Sequence, residues 1–440
     1  MHKNYSLENI LANLSIRELN EMQQTTIDVA EEHDNIILLS ATGSGKTLAF
    51  LLPILERLDK KNKDTQALII VPSRELAIQI EKVFKAMGTG FKVTACYGGH
   101  KRETEENNLV QPPAAIIGTA GRLADHLRRN NIMVSGIETL VMDEFDKSLE
   151  LGFIEEITFI IKSLENLKYR MLTSATEAVV VPDFVGLENP KKLNFLTEGA
   201  EIEGLAIKAV LSDDKDKSDT LFKLICYLGN RSTIVFCNHR DAVERTSLLL
   251  SEKGINNEFY HGGMEQQERD SALCKFRNGT TNVLVTTDLA SRGLDIPNIR
   301  YIIHYHLPHT EDAFIHRNGR TARMDASGTA ILILHDEESI PSYINEKVDY
   351  IDLPEKALLP EKPKWSTLFI GAGKKDKINK IDIVGFLSKK AMLKQENIGL
   401  IEVKDFFSFV AVKKIHMGDT LQKIKNERIK NKKVKIEIAK

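Results

Sequence analysis

The residues of this chain with the clearest chemical use lie in the segment Ala41-Thr-Gly-Ser-Gly-Lys46-Thr47. This segment follows a strand-like apolar run and precedes a helix-like stretch over residues 48 to 58, which is the context of a phosphate-binding loop. The glycines would let backbone N–H groups point at phosphate oxygens, and Lys46 would add a positive charge near the β- and γ-phosphates. The Thr47 hydroxyl would bind Mg²⁺. The pattern therefore predicts a site for a nucleoside triphosphate.

Two adjacent carboxylates, Asp143 and Glu144, come directly after the apolar run Leu140-Val-Met142. At the end of a strand beside the loop, Asp143 would hold Mg²⁺, and Glu144 would orient and deprotonate the attacking water. Taken alone, such a pair is as easily a solvated strand end. Together with the phosphate loop, it indicates hydrolysis of the triphosphate.

A second group of charged residues lies in the stretch His316-Arg-Asn-Gly-Arg320-Thr-Ala-Arg323. Arg320 and Arg323 are three residues apart and would share one face of a helix. Their planar guanidinium groups suit the charge that develops on a transferring phosphoryl group; the alternative is a basic helix face with no catalytic role. If the loop and the arginines lie in different domains, the triphosphate would close the cleft between them.

The elements that must position these residues follow an alternating pattern. Short runs rich in β-branched residues alternate with helical patterns, which is typical of an α/β fold with a parallel sheet. The pattern restarts after the polar segment Ser212 to Asp219, which holds no apolar side chain. We therefore predict two tandem parallel-sheet domains, over 1–205 and 206–355, joined near residues 198 to 215. The predicted strands are Ile36–Leu39, Ala67–Val71, Ala114–Ile117, Thr139–Met142 and Arg170–Leu172 in the first domain, and Thr233–Phe236, Asn282–Thr286, Tyr301–His304 and Thr329–Leu334 in the second.

A third unit follows Pro354, Pro360 and Pro363, whose spacing indicates a linker that resists helix formation. Residues 362–440 follow the order β-α-β-β-α-β, on which many RNA-recognition (RRM-like) α+β domains are built. Within it we predict strands at 365–370, 406–412 and 433–438 and helices at 380–393 and 419–426.

The distribution of charge separates this tail from the rest of the chain. Residues 361–440 hold 20 Lys+Arg against 9 Asp+Glu, a net charge of +11, and the preceding 360 residues hold 40 against 53, a net charge of -13. Such asymmetry indicates a segment that contacts nucleic acid or another anionic surface. Four cysteines without metal-ligand spacing indicate reduced, mostly buried thiols. The chain contains no stretch of 18 uncharged apolar residues and no secretory signal, so we predict a cytoplasmic protein without a membrane partner. We also predict a monomer.

Further motifs appear in a fixed order along residues 15 to 335. They are Gln23, the loop 41–47, Pro72-Ser-Arg74-Glu-Leu-Ala77, Gly98-Gly99, Thr119-Ala-Gly121-Arg122, Asp143-Glu-Phe-Asp146, Ser174-Ala-Thr176, Ile234-Val-Phe-Cys237, His261-Gly262 with Gln266 and Arg269, Thr286-Thr-Asp288 to Asp295, and His316 to Arg323. In content and order, this set resembles the DEAD-box RNA helicases.

The resemblance implies two RecA-like domains in tandem. It also implies an ATP- and Mg²⁺-dependent enzyme that hydrolyses ATP and locally unwinds short RNA duplexes between these two lobes. It implies catalytic roles for Lys46, Asp143, Glu144, Arg320 and Arg323, with Thr47 and Asp143 as metal ligands. It implies nucleotide binding by Gln23, Ala41, Thr42, Gly43, Ser44, Gly45, Lys46, Thr47 and Asp295. RNA would be bound by Pro72, Arg74, Gly99, Thr119, Arg122, Arg269 and Thr286, and Ser174 and Thr176 would couple hydrolysis to strand separation.

The chain departs from the family pattern at three positions. Phe145 replaces an alanine, and we expect its benzyl group to need room between the carboxylates and the loop at Ser174. Catalysis should survive, with altered coupling to RNA. Ile16 stands where an aromatic residue usually stacks near adenine, and Ala120 replaces the proline of the motif at Thr119.

The tail resembles the RNA-binding domain of the DbpA group, notably at Leu368-Phe-Ile-Gly371 and Ile429-Lys-Asn-Lys-Lys-Val434. That resemblance implies tethering to large-subunit ribosomal RNA of the 23S type and a role in ribosome assembly. Phe407 and Phe409 would share one strand face, with Phe406 opposite; base stacking and core packing both remain open for them. Lysines such as Lys374, Lys375, Lys432 and Lys433 would attract phosphates.

Two other functions are compatible with the sequence. One is an ATP-binding RNA clamp or scaffold with weak hydrolysis, for which Phe145 would be the reason. The other is a DNA-directed motor with the same two-lobed architecture.

Overall fold

The computed structural model describes residues 6–41, 43–99, 102–176, 181–196, 205–288, 299–319, 321 and 328–439. Four residues predicted to contact the nucleotide, Thr42, Asp295, Arg320 and Arg323, lie outside these ranges. No helix in the described ranges is both long enough and apolar enough to cross a membrane.

The first sheet has seven parallel strands. They are β1 (Asn35–Leu39), β2 (Ala67–Val71), β3 (Val93–Cys96), β4 (Ala115–Thr119), β5 (Thr139–Met142), β6 (Tyr169–Ser174) and β7 (Lys191–Asn194). Their spatial order is β3-β4-β2-β5-β6-β1-β7. The helices of this part are α1 (Leu7–Leu14), α2 (Glu21–Glu32), α3 (Lys46–Arg57), α4 (Arg74–Ala86), α5 (Arg102–Leu109), α6 (Ala120–Arg128), α7 (Phe145–Glu150) and α8 (Ile154–Ser163).

Helices cover both faces of this sheet, which explains the continuous apolar runs in its sequence. In β2, Ile69 packs into a cluster with residues of α2, α3 and α4, while Leu68 and Ile70 pack into a second cluster with α6 and α8. Strands buried on both faces need apolar residues at every position. The carboxyl ends of parallel strands lie along one edge of the sheet, so the phosphate loop after β1 and Asp143 after β5 come to the same edge.

The second sheet repeats this architecture. Its strands are β8 (Leu205–Ser212), β9 (Thr233–Phe236), β10 (Asn257–Tyr260), β11 (Val283–Thr286), β12 (Tyr301–His304), β13 (Gly328–His335) and β14 (Asp349–Tyr350), in the order β10-β11-β9-β12-β13-β8-β14 and all parallel. Its helices include α9 (Ser218–Leu228), α10 (Arg240–Glu252), α11 (Gln266–Arg277) and α12 (Glu311–Asn318). The predicted pair of RecA-like parallel-sheet domains is confirmed.

The tail forms a small antiparallel sheet of four strands, as predicted. The order along the chain is β15 (Trp365–Ile370), α13 (Lys380–Lys390), β16 (Ile398–Val403), β17 (Ser408–Lys413), α14 (Lys414–Ile424) and β18 (Ile436–Ile438), and the strands are arranged β16-β17-β15-β18. This is the β-α-β-β-α-β pattern. Helix α14 begins at Lys414, five residues before the predicted start at Asp419. Strand β18 begins only at Ile436.

Contacts between residues divide the chain into two compact units, one with the first sheet and one with the second sheet and the tail. Within the second unit, the tail packs on α11. The buried side chains of Cys274 and Phe409 belong to one cluster, which Phe369 and Phe407 flank. Both faces of the tail sheet are therefore covered, because α13 and α14 pack on the other face. The three predicted domain boundaries remain predictions.

Polar contacts surround this apolar cluster. Asn278 Nδ2 donates to Thr367 Oγ1 over 2.8 Å, with both side chains buried. Arg277 Nε lies 3.1 Å from Glu402 Oε1, and Lys404 Nζ lies 3.0 Å from Asp270 Oδ1. Such an apolar centre with a rim of paired polar groups is typical of a specific interface.

Replacing Phe409 with Ala should expose Cys274 to reagents. Burial raises the pKa of the Cys274 thiol to about 12, so little reactive thiolate forms at neutral pH. Without the ring, water reaches the thiol, and we expect its alkylation rate to rise at least about tenfold. Mass spectrometry of the labelled peptides measures this rate. Cys226 on α9 is the internal control, and an unchanged rate at Cys274 would contradict the role of Phe409 as its cover.

Candidate active site

The phosphate loop lies between β1 and α3. Gly43 and Gly45 have φ angles of 87° and 93°, a left-handed conformation that glycine adopts without strain. A Cβ at Gly45 would lie 2.5 Å from Nε2 of Gln23, so a larger residue would also displace that side chain. Helix α3 begins at Lys46 without a side-chain cap. Its first N–H groups and the positive end of its dipole therefore suit an anion such as phosphate.

Lys46 and Thr47 occupy the first turn of α3. Lys46 is buried, and its Nζ donates to the carbonyl oxygen of Ala41 over 3.0 Å and to that of Ser40. Thr47 is half-buried beside it. Ser44 Oγ accepts a 2.7 Å hydrogen bond from Ser40 Oγ. These contacts hold the lysine ammonium against the loop backbone, the position from which it can meet phosphate oxygens.

Gln23 connects the loop to the start of α2. Its side-chain oxygen accepts from the backbone N–H of Asn20 over 3.0 Å, and the Asn20 side chain caps the Gln23 backbone N–H over 2.9 Å. Its amide nitrogen donates to the carbonyl oxygen of Gly45 over 3.2 Å. An amide has two donor hydrogens and two acceptor lone pairs, so Gln23 keeps one of each beyond these contacts for an adenine edge.

Asp143 and Glu144 lie at the end of β5, on the same edge as the phosphate loop. Asp143 is buried, and burial raises the pKa of its carboxyl group, against the hydrogen bond from Thr173 Oγ1 and the nearby charge of Lys46. The Glu144 backbone N–H points to Asp143 Oδ1 at 3.1 Å and to Thr173 Oγ1 at 3.2 Å. Glu144 has a φ of 48°, and such left-handed conformations at non-glycine residues concentrate at functional sites.

Thr173 is a site residue that the sequence analysis missed. The strand register pairs Met142 with Leu172, so the next residues, Asp143 and Thr173, lie side by side at the strand ends. The signal was present in the sequence, because Thr173 directly precedes the predicted Ser174 motif.

Phe145 does not lie between the carboxylates and the Ser174 loop. Its side chain is 1% exposed and belongs to the apolar cluster that includes Ile157, Ile160 and Leu172. The expectation that its benzyl group needs room between the carboxylates and the Ser174 loop is wrong, because the first turn of α7 directs this side chain into the core. The expected change in coupling to RNA stays a prediction.

The two predicted coupling residues are bonded to each other. Ser174 Oγ accepts from the Thr176 backbone N–H over 3.0 Å and donates to the Thr176 carbonyl oxygen over 2.9 Å. Both residues are buried. Nearby Asp146 is buried as well. Lys147 Nζ lies 3.8 Å from its Oδ2, which is too far for a hydrogen bond, and burial outweighs the charge of this lysine in setting the pKa of Asp146.

Replacing Asp146 with Asn should stabilise the protein at neutral pH. Burial raises the pKa of Asp146 to about 6, above the unfolded value of about 3.9. The folded state therefore binds the proton more tightly, and stability falls as the pH rises from about 4 to about 6. We expect the variant to lose this slope, with a higher unfolding midpoint than the parent at pH 7 and a similar one at pH 4.

The control is Asp125→Asn, since the hydrogen bond from Arg129 lowers the pKa of Asp125. That substitution should change the unfolding midpoint at pH 7 in the opposite direction and by less, because the pair is exposed. A parent slope that persists in the Asp146 variant would contradict the assignment.

Predicted RNA-binding residues of the first unit follow three neighbouring strands. Pro72 and Arg74 follow β2, Gly99 follows β3, and Thr119 and Arg122 lie at the end of β4 and in α6. Arg74 lies over the ring of Tyr97 at 4.7 Å and donates to the carbonyl oxygen of Gly98 over 3.1 Å. The fold brings this predicted set together on one edge of the sheet.

In the second unit, two predicted RNA-binding residues are described. Arg269 donates through Nε to Gln266 Oε1 over 3.1 Å, within the first turn of α11. Thr286 is buried, and its hydroxyl donates to the carbonyl oxygen of Tyr260 over 2.8 Å. Their contact with RNA stays a prediction.

Arg317 is a second residue that the sequence analysis did not assign to the site. It is 1% exposed, and it donates to both carboxylate oxygens of Asp288, to Asn238 Oδ1 over 2.8 Å and to the carbonyl oxygen of His306 over 2.6 Å. It thereby ties α12 to the ends of β9, β11 and β12. The signal was the run of three arginines after His316, of which only the last two received a role.

Three family models match the chain. Residues 20–183 match the DEAD/DEAH box helicase model, residues 216–325 the helicase conserved C-terminal domain, and residues 367–438 the DbpA RNA binding domain. The chain is 29% identical to the ATP-dependent RNA helicase DbpA of Bacillus subtilis, over 99% of each chain. It is 33% identical to the ATP-dependent RNA helicase CshA of Listeria monocytogenes, over 81% of this chain and 69% of that relative.

The fold is also similar to solved structures. The structure of Saccharomyces cerevisiae Dbp5 bound to RNA and ADP BeF3 superposes with a TM-score of 0.69 and 25% identity, covering 79% of this chain and 93% of that one.

Proposed function

The chain belongs to the DEAD-box family of ATP-dependent RNA helicases, and on this premise we propose that it unwinds short RNA duplexes, directed by its tail to large-subunit ribosomal RNA of the 23S type during ribosome assembly. We place this activity in the cytoplasm and assign it to a monomer. The observation that carries the proposal is the meeting of the phosphate loop with Asp143 and Glu144 on one sheet edge of a chain whose tail carries a net charge of +11.

In this proposal, Mg²⁺ is held by the Thr47 hydroxyl and the Asp143 carboxylate. These hard oxygen donors suit the ion, and a buried carboxylate such as Asp143 is most stable beside a cation. Bound by these two residues, the ion would supply positive charge that offsets the negative charge of the triphosphate.

The other residues of the first unit have separate roles in binding and hydrolysing ATP. Lys46 and the loop N–H groups bind phosphate oxygens, and Gln23 reads the adenine edge. Glu144 orients the attacking water and accepts its proton. Thr173 is hydrogen-bonded to the Asp143 carboxylate and to the Glu144 backbone N–H, so this carboxylate and this backbone segment keep a defined position before ATP binds. Ser174 and Thr176 couple ATP hydrolysis to the RNA-binding residues and thereby to strand separation.

Roles are also proposed for the residues outside the described ranges. Arg320 and Arg323 stabilise charge on the transferring phosphoryl group, as guanidinium groups do in related hydrolases. Asp295 contacts the nucleotide, and Thr42 adds a loop N–H. Arg317 positions α12, from which these arginines follow in the sequence.

In this proposal, the tail directs the enzyme to its RNA target. Both faces of its sheet are covered, so bases are not expected to stack on Phe369, Phe407 or Phe409. Exposed lysines instead cluster where residues 374–380 meet residues 430–435, joined by contacts from Lys430 to the Lys377 carbonyl oxygen and from Lys432 to Asp376. This basic cluster is suited to the phosphate backbone of structured RNA.

The test of the enzymatic proposal is steady-state ATP hydrolysis without nucleic acid, with DNA, with unstructured RNA and with ribosomal RNA. We expect RNA, but not DNA, to stimulate hydrolysis. Ribosomal RNA should reach half-maximal stimulation at a lower concentration than unstructured RNA. Stimulation by DNA would favour a DNA-directed motor, and binding of ATP and RNA without turnover would favour a clamp. Phe145, the residue on which the clamp alternative rests, packs in the core of the first unit, and this supports the proposal of an active hydrolase.

The proposed RNA-targeting role of the tail is tested by reversing the charge of Lys432 and Lys433 in the full chain. We expect weaker binding of ribosomal RNA and a smaller dependence of affinity on salt, since each lost phosphate contact lowers that dependence. The matched control reverses Lys389 and Lys390, at the other end of α13. Equal losses in both variants would contradict a localised RNA surface.

A further inference from the structure

Glu105 is a buried acidic residue in the first unit to which no role has yet been assigned. It lies on α5, and its side chain is 1% exposed. Its Oε1 accepts from the backbone N–H of Tyr97 over 2.7 Å. Its Oε2 lies 2.7 Å from His126 Nε2 and 3.4 Å from Arg122 Nε. One carboxylate thus contacts both Tyr97, directly after β3, and two residues of α6.

The surrounding hydrogen bonds define the tautomer of His126. Asn131 Nδ2 lies 3.1 Å from His126 Nδ1, and an amide nitrogen can only donate. Nδ1 is therefore the acceptor, and Nε2 carries the proton that faces Glu105. Cys96 also lies close to this pair.

The contacts of Glu105 link three of the predicted RNA-binding segments. The Tyr97 ring supports Arg74, and Arg74 donates to the Gly98 carbonyl oxygen. The Tyr97 backbone is bonded to Glu105, and Glu105 is paired with Arg122. The ends of β2, β3 and β4 are therefore connected through a single buried charge.

We propose that Glu105 is a positioning residue for RNA binding by the first unit. Its charge holds the Nε side of the Arg122 guanidinium and fixes the backbone that carries Tyr97 and Gly98. RNA then meets Arg74, Gly99 and Arg122 in an ordered arrangement, and binding does not have to order these side chains. This inference rests on the proposed function, since it names how the same enzyme binds its RNA.

Glu105→Gln in the full chain tests this role, because it removes the charge at nearly constant volume. We expect the RNA concentration for half-maximal ATPase stimulation to rise about tenfold, since an ordered arginine contact is lost. The KM for ATP, the rate without RNA and the rate at saturating RNA should stay within about twofold. The reason is that Glu105 contacts Tyr97 after β3 and Arg122 and His126 on α6, whereas the phosphate loop follows β1. Glu106→Gln is the matched control on the same helix, with a side chain 37% exposed, and it should change none of these values.

Arg122→Gln and the double variant show whether Glu105 acts through Arg122. If it does, Glu105→Gln adds little to the loss caused by Arg122→Gln, because coupled residues are not additive. Fully additive losses would overturn the proposal, as would an unchanged RNA requirement in a normally folded Glu105→Gln protein. Should that variant fold poorly, Glu105→Asp, which keeps the charge, must retain more RNA affinity than Glu105→Gln at equal thermal stability; the reverse order would overturn the proposal.

Direct binding of a fluorescent single-stranded RNA, with a non-hydrolysable ATP analogue present, separates this inference from the proposed function. If RNA does not stimulate hydrolysis in the parent chain, the proposed function fails. The comparison of RNA affinity between parent and Glu105→Gln still decides the positioning role.

Discussion

Glu144→Gln should reduce ATP hydrolysis by a factor of about 10² to 10⁴, the usual contribution of a general base. Glu144 is 8% exposed at the end of β5, and the glutamine retains its size and hydrogen-bonding shape while losing the basic oxygen. The loss should appear in the rate at saturating ATP and RNA, because the missing proton transfer belongs to the chemical step.

Binding of ATP and RNA should be retained in this variant. The phosphate loop, Lys46 and Asp143 are unchanged, and the Glu144 backbone N–H still meets Asp143 and Thr173. Equilibrium binding of a fluorescent ATP analogue and of labelled RNA measures this directly. We expect dissociation constants within a few-fold of the parent and an RNA complex that persists for longer, because hydrolysis no longer ends it.

The control is Glu155→Gln, an exposed carboxylate in the first turn of α8, which should leave hydrolysis unchanged. Hydrolysis within about tenfold of the parent in Glu144→Gln would place the base elsewhere. Loss of ATP binding in the same variant would mean that Glu144 is structural.

Phe145→Ala should strongly destabilise the first unit, even though alanine is the residue that the family has at this position. Phe145 is 1% exposed in a core cluster with Ile157, Ile160 and Leu172. Deleting a buried phenylalanine to alanine costs about 3–5 kcal/mol, from lost apolar burial and the cavity that remains. Denaturant unfolding followed by circular dichroism should show an earlier transition for the first unit.

Catalysis should respond differently from stability in this variant. Below its unfolding temperature, we expect RNA-stimulated hydrolysis and the ATP consumed per unwound duplex to match the parent. Phe406→Ala is the control for stability, since Phe406 is 59% exposed, and its effect should be within about 0.5 kcal/mol. A changed ratio of unwinding to hydrolysis with unchanged stability would return Phe145 to the coupling role that the sequence first indicated.

The contrast between Glu144 and Phe145 shows which features are readable from a sequence. The phosphate loop was predictable because its parts are contiguous: an apolar strand, glycines that permit left-handed φ angles, and a helix that starts at Lys46. Asp143 was predictable because it directly follows a strand, and parallel strands bring their carboxyl ends to one edge. The order of elements in the tail was predictable from alternating apolar patterns for the same local reason.

Other features depend on residues that are distant in the sequence. Periodicity shows that Phe409 has a buried face, but it does not say that Cys274 of α11 covers that face. The type of residue at 145 shows a large side chain beside the carboxylates, but only the backbone of α7 directs it into the core. Glu105, Arg122 and His126 lie on two helices, and no local pattern shows that they share one buried charge.

The sequence by itself therefore determined the fold class, the nucleotide chemistry and the basic character of the tail. These follow from short-range rules of backbone conformation, apolar periodicity and charge. Only the tertiary structure decided that the aromatic face of the tail sheet is covered by α11 and that the buried Glu105 carboxylate meets both Tyr97 and Arg122. The physical reason is that burial and electrostatic pairing depend on distances in space, and packing sets those distances between segments that the chain itself separates.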